Sequence, residues 1–260
     1  MGSWRVRARN TSTISENKIH DDEVARSYGF AGGLVPGVDV YAYLTHVPVE
    51  RWGRAFLERG AITARFLRPV YDGDDVVVEP VERGDALELS LFDSVGETCA
   101  VATASLPATP PTPPTVPPRV PTPPVRPRAS TEAFAASPDL GAYECGFHAE
   151  HAPAYLDDVG ETLPLYTDER IAHPGWLLRA ANFVLSANVT LGPWIHVSSA
   201  VQHHGVVDDG DHLSTRARVV ETFEKKGHEF VTLDVVTVAN DMTPVLHVEH
   251  TAIFEPRRSG

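Results

Sequence analysis

Two apolar stretches, residues 38–44 and 176–185, each directly follow a Pro-Gly step, Pro36-Gly37 and Pro174-Gly175. Proline fixes φ near the helical value and loses nothing in a first turn, where its missing N–H has no partner anyway. Both stretches are therefore predicted as helices. Strand-like segments follow, at 61–66 in the first case and 196–201 in the second. A turn, Asp72-Gly73-Asp74 or Asp209-Gly210-Asp211, then leads into Val76-Val77-Val78 or residues 214–220. The second half adds a hairpin signal at Lys225-Lys226-Gly227, a strand at 230–236 and a last strand at 247–254. Each half reads as one helix followed by three or four long antiparallel strands.

The two halves repeat one plan. Gly37 and Gly175 lie 138 positions apart, and Gly73 and Gly210 lie 137 apart. Two landmarks at nearly one offset indicate a tandem duplication. Between the halves, residues 107–128 hold eleven of the chain's twenty-two prolines. Such a segment is expected to be extended and exposed. The expected organisation is 1–106 as an N-terminal unit carrying the candidate site, 107–129 as a proline-rich linker, and 130–260 as a degenerate C-terminal unit. One long sheet wrapped around one apolar helix is the hotdog arrangement. The fold class is thus α+β, a tandem or double hotdog, with the halves pairing inside the chain to cover exposed edges. A homodimer beyond that pairing is compatible with the pattern.

Composition narrows the partners. With 22 Lys and Arg against 35 Asp and Glu, the formal charge is −13, which argues against a nucleic-acid surface. No apolar run is long enough to span a bilayer, and the N-terminus lacks a signal-peptide core. Two cysteines, Cys99 and Cys145, suit a reducing cytoplasm. Ten of the twelve histidines fall in the second half, yet His203-His204 and His247/His250 point to opposite faces of their strands. His148 and His151 share a helical face without a second ligand pair, so no metal is implied.

The segment Ser15-Glu16-Asn17-Lys18-Ile19-His20, the later Val35-Pro36-Gly37-Val38 and the turn 66–74 resemble the MaoC-like dehydratases, the family of (R)-specific enoyl-CoA hydratases. The resemblance covers most of residues 10–105; the second half follows it in plan only. It implies hydratase or dehydratase chemistry on an acyl thioester carried by CoA or a carrier protein, with no cofactor. The family's Asn falls on Asn17, its catalytic His on His20, the glycine facing the thioester carbonyl on Gly37, and a helix hydroxyl on Thr45. The family's catalytic Asp falls on Ser15, and its adjacent proline on Lys18.

The residues carry this chemistry on their own terms. Histidine titrates near neutral pH and serves as base or acid. A glycine N–H at a helix N-terminus faces outward into the positive end of the dipole, where it can hold an enolate oxygen. His20 equally reads as part of a helix start before Asp21-Asp22-Glu23, and Asn17 as an orienting or capping group. Asp39, in the first turn of the central helix, is a candidate partner for His20 or a complement to the helix dipole; His20 acts with it or alone. Glu16 is expected to point away from Ser15. Ser15, Pro36, Val38 and Thr45 are candidate pocket residues, with Thr45 also readable as a satisfied buried hydroxyl. Arg65 and Arg68 are candidates for CoA phosphates. Asp158 occupies the His20 position of the second half, which is expected to supply a wall of the acyl tunnel through Trp176 and Phe183. A hotdog thioesterase and a non-catalytic acyl-binding or partner protein are the competing readings.

Overall fold

A computed structural model describes residues 2–240 and 242–257 of the chain. Ten strands form one antiparallel sheet. The first half supplies β1 (Trp4–Arg7), β2 (Ala61–Phe66), β3 (Asp75–Arg83), β4 (Ala86–Phe92) and β5 (Thr98–Ser105). The second supplies β6 (Asp139–Gly146), β7 (Ile195–His203), β8 (His212–Lys225), β9 (His228–Ala239) and β10 (Thr243–Glu255). Their spatial order is β1-β3-β4-β5-β2-β7-β10-β9-β8-β6. Read outward from the centre, each half has the same order. β2 and β7 pair antiparallel at the junction, with Thr63 opposite Ala200.

The duplication extends to single hydrogen bonds. Ala8 N–H donates to the Asp74 carbonyl and Gly73 N–H to the Ala8 carbonyl, both at 2.8 Å. In the second half Phe147 N–H donates to Asp211 and Gly210 N–H to Phe147, both at 2.9 Å. Gly73 and Gly210 sit at φ 80° and 91°, where a side chain is strained, so both turns need glycine. The hairpin at Lys226-Gly227 has φ 55° and 78°, the signature of the type I′ turn that matches sheet twist.

Seven helices accompany the sheet among the described residues. The long ones are α2 (Gly37–Trp52) and α7 (Pro174–Asn188). Residues 38–49 of α2 are buried without interruption, because sheet surrounds one side and α7 packs on another. At the crossing, a Cβ on Gly175 would lie 2.6 Å from the Ala42 Cβ, so only glycine lets the helices meet. The short helices are α1 (Asp22–Ser27), α3 (Arg54–Arg59), α4 (Thr131–Ala136), α5 (Ala152–Asp158) and α6 (Leu165–Asp168). No described helix is long and apolar enough to cross a membrane.

The strand count needs correcting: among the described residues each half has five strands, not three or four, and the additional one precedes the helix. β1 is four residues long with one buried position, Val6, and β6 is broken by a bulge between Leu140 and Tyr143. Neither leaves a clean alternation in the sequence. Between β5 and α4 the chain has no helix or strand and is mostly exposed. It nevertheless has a task. Val120 bridges to Gly141 on β6, and Ala142 N–H donates to its carbonyl at 2.7 Å. β6 is the last strand of the sheet, and a proline-rich strap blocks its edge without offering a continuous row of donors.

Three inward-facing histidines of β7 and β10, His196, His203 and His250, are buried, and burial pushes all three below the ordinary value, His203 and His250 to about 3. In the unfolded chain each ring takes up a proton near pH 6.5. Over the window from there to about 3 the unfolded state holds more protons, so stability falls on acidification, by at most about 1.4 kcal/mol per pH unit for each ring. Thermal melts are expected to show a falling Tm between about pH 7 and pH 5, with a shallower fall in His203→Leu. Parallel melting curves for the two proteins across that range contradict this.

Candidate active site

The site begins with a side chain that behaves like backbone. Asn17 donates from Nδ2 to the Trp194 carbonyl at 2.9 Å and accepts the Trp194 N–H at 3.1 Å on Oδ1. This pairs the first half with the loop before β7. The second Nδ2 hydrogen reaches Nε2 of His20 at 3.3 Å. Ser15 supports the clamp, its Oγ accepting the Asn17 N–H at 3.1 Å. His20 ends a 3-10 turn, Lys18–His20, and Asp21 caps the helix α1 that follows. Nδ1 of His20 lies 2.7 Å from the Leu34 carbonyl oxygen. A carbonyl only accepts, so Nδ1 carries the proton and Nε2 presents the lone pair. Burial lowers the His20 pKa, against the opposing pull of Leu34 and Asp39, so the ring is a neutral base near pH 7.

The N-terminus of α2 faces the same place. Its cap, Pro36, offers no side-chain hydrogen bond, and among the described residues nothing accepts the Gly37 N–H. The second half shows what closure looks like: Nδ1 of His173 accepts the Gly175 N–H at 3.0 Å and plugs the corresponding helix end. Only the first copy of the duplicated unit leaves this donor free.

His20 and Gly37 border one cavity of about 250 Å³, lined mostly by apolar side chains. Val40, Phe66 and Val70 come from the first half; Trp194, Ile195, His196 and Ile253 come from the second. Among the described residues no carboxylate lines it. A second cavity of about 530 Å³ shares Asn17, His20, Pro36, Asn182 and Trp194 with the first and continues over Thr11, Ser15, Val38, Arg126, Arg179 and Phe183. Its one acidic lining residue, Glu16, pairs with Arg126 at 3.0 Å. The histidine thus stands on a partition between an apolar chamber and a wider, more polar one.

Other candidate residues lie elsewhere. Asp39 is fully buried and makes no hydrogen bond to His20. One carboxylate oxygen accepts Arg179 Nη2 at 2.8 Å, the other accepts the Thr11 hydroxyl at 2.6 Å, and Arg179 lies over the Tyr155 ring. Both oxygens are engaged and the residue is fully buried outside both cavities, so Asp39 locks α2 to α7 and stands out of a substrate water's reach. Thr45 has 0% exposure and its hydroxyl donates to the Ala42 carbonyl at 2.8 Å; it touches neither cavity, which corrects its assignment to the pocket. Arg68 stands at the lining of the smaller cavity paired with Glu97 at 2.9 Å, whereas Arg65 lines a separate surface groove. Asp158 pairs with Arg9 at 2.9 Å on the surface. Phe183 lines the larger cavity, while Trp176 packs on Phe147 in the second half. The glycine at 37 also has a reason beyond ligand approach: a Cβ there would lie 2.8 Å from Nδ1 of His196.

Among solved structures, the chain matches a protein described as a MaoC-domain dehydratase from Chloroflexus aurantiacus with a TM-score of 0.61 and 15% identity, over 98% of this chain and 95% of that one. It matches a Mycobacterium tuberculosis protein with a double hotdog fold at 0.59 and 16%, over 97% and 95%. The fold is a double hotdog. The dehydratase domain of PpsC from Mycobacterium tuberculosis, solved with C12:1-CoA, matches with a TM-score of 0.55 and 10% identity, over 96% of this chain and 92% of that one. A protein described as a thioesterase II from Thermobifida fusca follows at 0.53 and 14%, over 97% and 92%. At these identities the likeness is one of fold. No protein-family model matches the sequence, and no curated protein matches it.

Sequence reasoning did not single out Trp194, Asn182, Arg179 or His196 of this double hotdog. Arg179→Met leaves Asp39 as a buried, unpaired charge and is expected to cost about 3–5 kcal/mol. Combining it with Asp39→Leu is expected to restore most of that loss. Urea midpoints of the two variants check this; a single variant as stable as the parent contradicts the interlock.

Proposed function

We propose that this double hotdog is a hydratase or dehydratase acting on an acyl thioester, with His20 as its one proton-transferring group. The observation that carries the reading is the meeting of a neutral, tautomer-fixed imidazole and an unoccupied helix-terminal N–H on one apolar cavity. In the elimination direction Nε2 of His20 exchanges its long 3.3 Å contact with Asn17 for the substrate and takes the Cα proton of a 3-hydroxyacyl thioester. The Gly37 N–H holds the enolate oxygen, helped by the positive end of α2. The same imidazolium then returns its proton to the departing β-hydroxyl, which leaves as water. Hydration runs the steps in reverse. Asn17, Ser15, Pro36 and Val38 position the ring and the helix end. A single base suits a chain in which Ser15 stands where the family motif has Asp, and in which Asp39 is committed to Arg179.

The likeness to a dehydratase domain solved with C12:1-CoA supports an acyl-thioester ligand, carried by CoA or a carrier protein. Both cavity walls come from one chain, so the reading asks for no second copy, although a homodimer is compatible with it. Unpaired Cys99 and Cys145 fit a reducing cytoplasm. A specific observation favours one other reading, a non-catalytic acyl-binding protein: among the described residues no carboxylate lines the smaller cavity. The same observation speaks against a thioesterase that directs water with a carboxylate.

Incubation with crotonyl-CoA and with 3-hydroxybutyryl-CoA, followed by enoyl absorbance and free thiol, separates these readings. Enoyl change without thiol release is expected, lowered about 10²–10⁴-fold in His20→Ala. Acyl-CoA that raises Tm with no turnover supports the binding protein instead, and thiol release supports the thioesterase. In the active case kcat/KM is expected to stay level through the ordinary histidine range and to fall only at lower pH, since burial depresses the His20 pKa. An acid limb centred above that range contradicts His20 as the base.

A further inference from the structure

One amide on the partition between the two cavities has no partner in the protein. Residues 179, 182, 183, 186 and 187 of α7 all line the larger cavity, the i, i+3, i+4, i+7, i+8 stripe of one helix face. Of these, Asn182 alone also lines the smaller cavity, where it stands with Asn17, His20, Pro36 and Trp194. Among the described residues its side chain makes no hydrogen bond. Oδ1 is shut off from solvent and Nδ2 is not, so Nδ2 is the end that the cavities reach. Asn188, on the same helix, shows the ordinary outcome. Its Oδ1 accepts the Gly141 N–H at 2.6 Å, and its Nδ2 donates to the Gly141 and Val184 carbonyls at 2.8 and 2.7 Å.

An unpartnered amide inside a helix is doubly unfavourable. Asparagine is a poorer helix former than leucine, and a polar atom shut away from water without a bond loses its hydration uncompensated. The duplication shows what the fold accepts here. At the equivalent place in α2, 138 positions earlier, stands Leu44, fully buried. Leucine has nearly the shape of asparagine, so packing alone does not call for an amide. The neighbouring polar groups are engaged. Asn17 is bonded at both ends of its amide. A bulge in β7 brings residues 196 and 199 to one face, and the His196 ring is held by the Ser199 hydroxyl at 2.8 Å and by the Ser198 backbone. Its Nδ1 is closed in against Gly37.

We propose that the Asn182 amide binds the β-hydroxyl of a 3-hydroxyacyl thioester, and in the reverse direction the water that adds to the enoyl thioester. This rests on the reading of an acyl thioester at His20 and Gly37, and it names the substrate group that the site selects. With the carbonyl oxygen at the Gly37 N–H and Cα at Nε2 of His20, the β-carbon is one bond further along, beside the wall that Asn182 shares with His20. As the amide stands, Nδ2 donates to the hydroxyl oxygen. A hydroxyl both donates and accepts, so it bonds the open end whichever way round the amide is turned. The bond holds the oxygen while the Cβ–O bond breaks and the His20 imidazolium delivers its proton, and water leaves. A plain acyl chain has no group that would use it.

Two measurements test this. Without ligand, Asn182→Leu is expected to melt no lower than the parent, since no bond is lost and helix propensity rises. A lower Tm shows a structural amide and overturns the proposal. Calorimetric titration then compares butyryl-CoA with 3-hydroxybutyryl-CoA in a His20→Gln background, which keeps the hydroxyacyl ligand from reacting. With Asn182 present the hydroxyl is expected to tighten binding about 3–10-fold. In Asn182→Leu that gain is expected to vanish, while butyryl-CoA binds as before and so reports that the site is intact. A hydroxyl gain that survives Asn182→Leu, no gain with Asn182 present, or equal weakening of both ligands overturns the proposal and leaves the acyl-thioester reading standing. No binding of butyryl-CoA by the unsubstituted protein removes that reading, and this proposal with it.

Discussion

The pairing of β2 with β7 is the constraint from which the rest follows. It fuses two five-stranded sheets at their inner edges, so two half-molecules share one core and their central helices must face each other. An exposed edge on either half would invite association with other chains; here each half satisfies the other's. Of the two outer edges, β1 and β6, the one at β6 is covered by the proline-rich strap, which turns a connecting segment into a structural cover. Facing helices then impose their own demand. Close approach at Ala42 and Gly175 leaves no room for a side chain, and the buried carboxylate of Asp39 must meet a cation from across the seam.

Duplication gave the protein two helix N-termini in equivalent settings, and the difference between them is chemical. One is stoppered by the imidazole of its own His173; the other opens onto a cavity beside His20. The second half has not become idle filler. It supplies Trp194 to the Asn17 clamp, Arg179 to Asp39, and His196 to the wall against Gly37. The candidate site at one copy is thus walled and clamped by the other, which also supplies the cation for the buried Asp39.

The legible parts of this fold were those written in neighbouring residues. The Asp-Gly turns, the Pro-Gly helix starts and the Lys226-Gly227 hairpin each need a particular backbone conformation within two or three positions, and each stands in the structure where its residues predict it. β1 was hidden because a four-residue strand with one buried side chain shows no period. The pairing of Asp39 with Arg179 spans 140 positions, and no local pattern announces it. His196 was hidden for a different reason: the β7 bulge breaks the alternation by which a strand residue is assigned a face, so its company with Ser199 appears only in three dimensions. Thr45 shows the converse hazard, since a position matching a motif proved to be an ordinary helix hydroxyl bonded to its own backbone.

The account stands on the claim that the open end of α2, and not its stoppered counterpart at α7, receives the thioester. A crystal structure of the protein with butyryl-CoA tests this most directly. The account predicts the carbonyl oxygen within hydrogen-bonding distance of the Gly37 nitrogen, with the acyl chain against Phe66 and Ile253. A ligand seated beside His173 and Gly175, or one whose carbonyl points away from both helix ends, contradicts it.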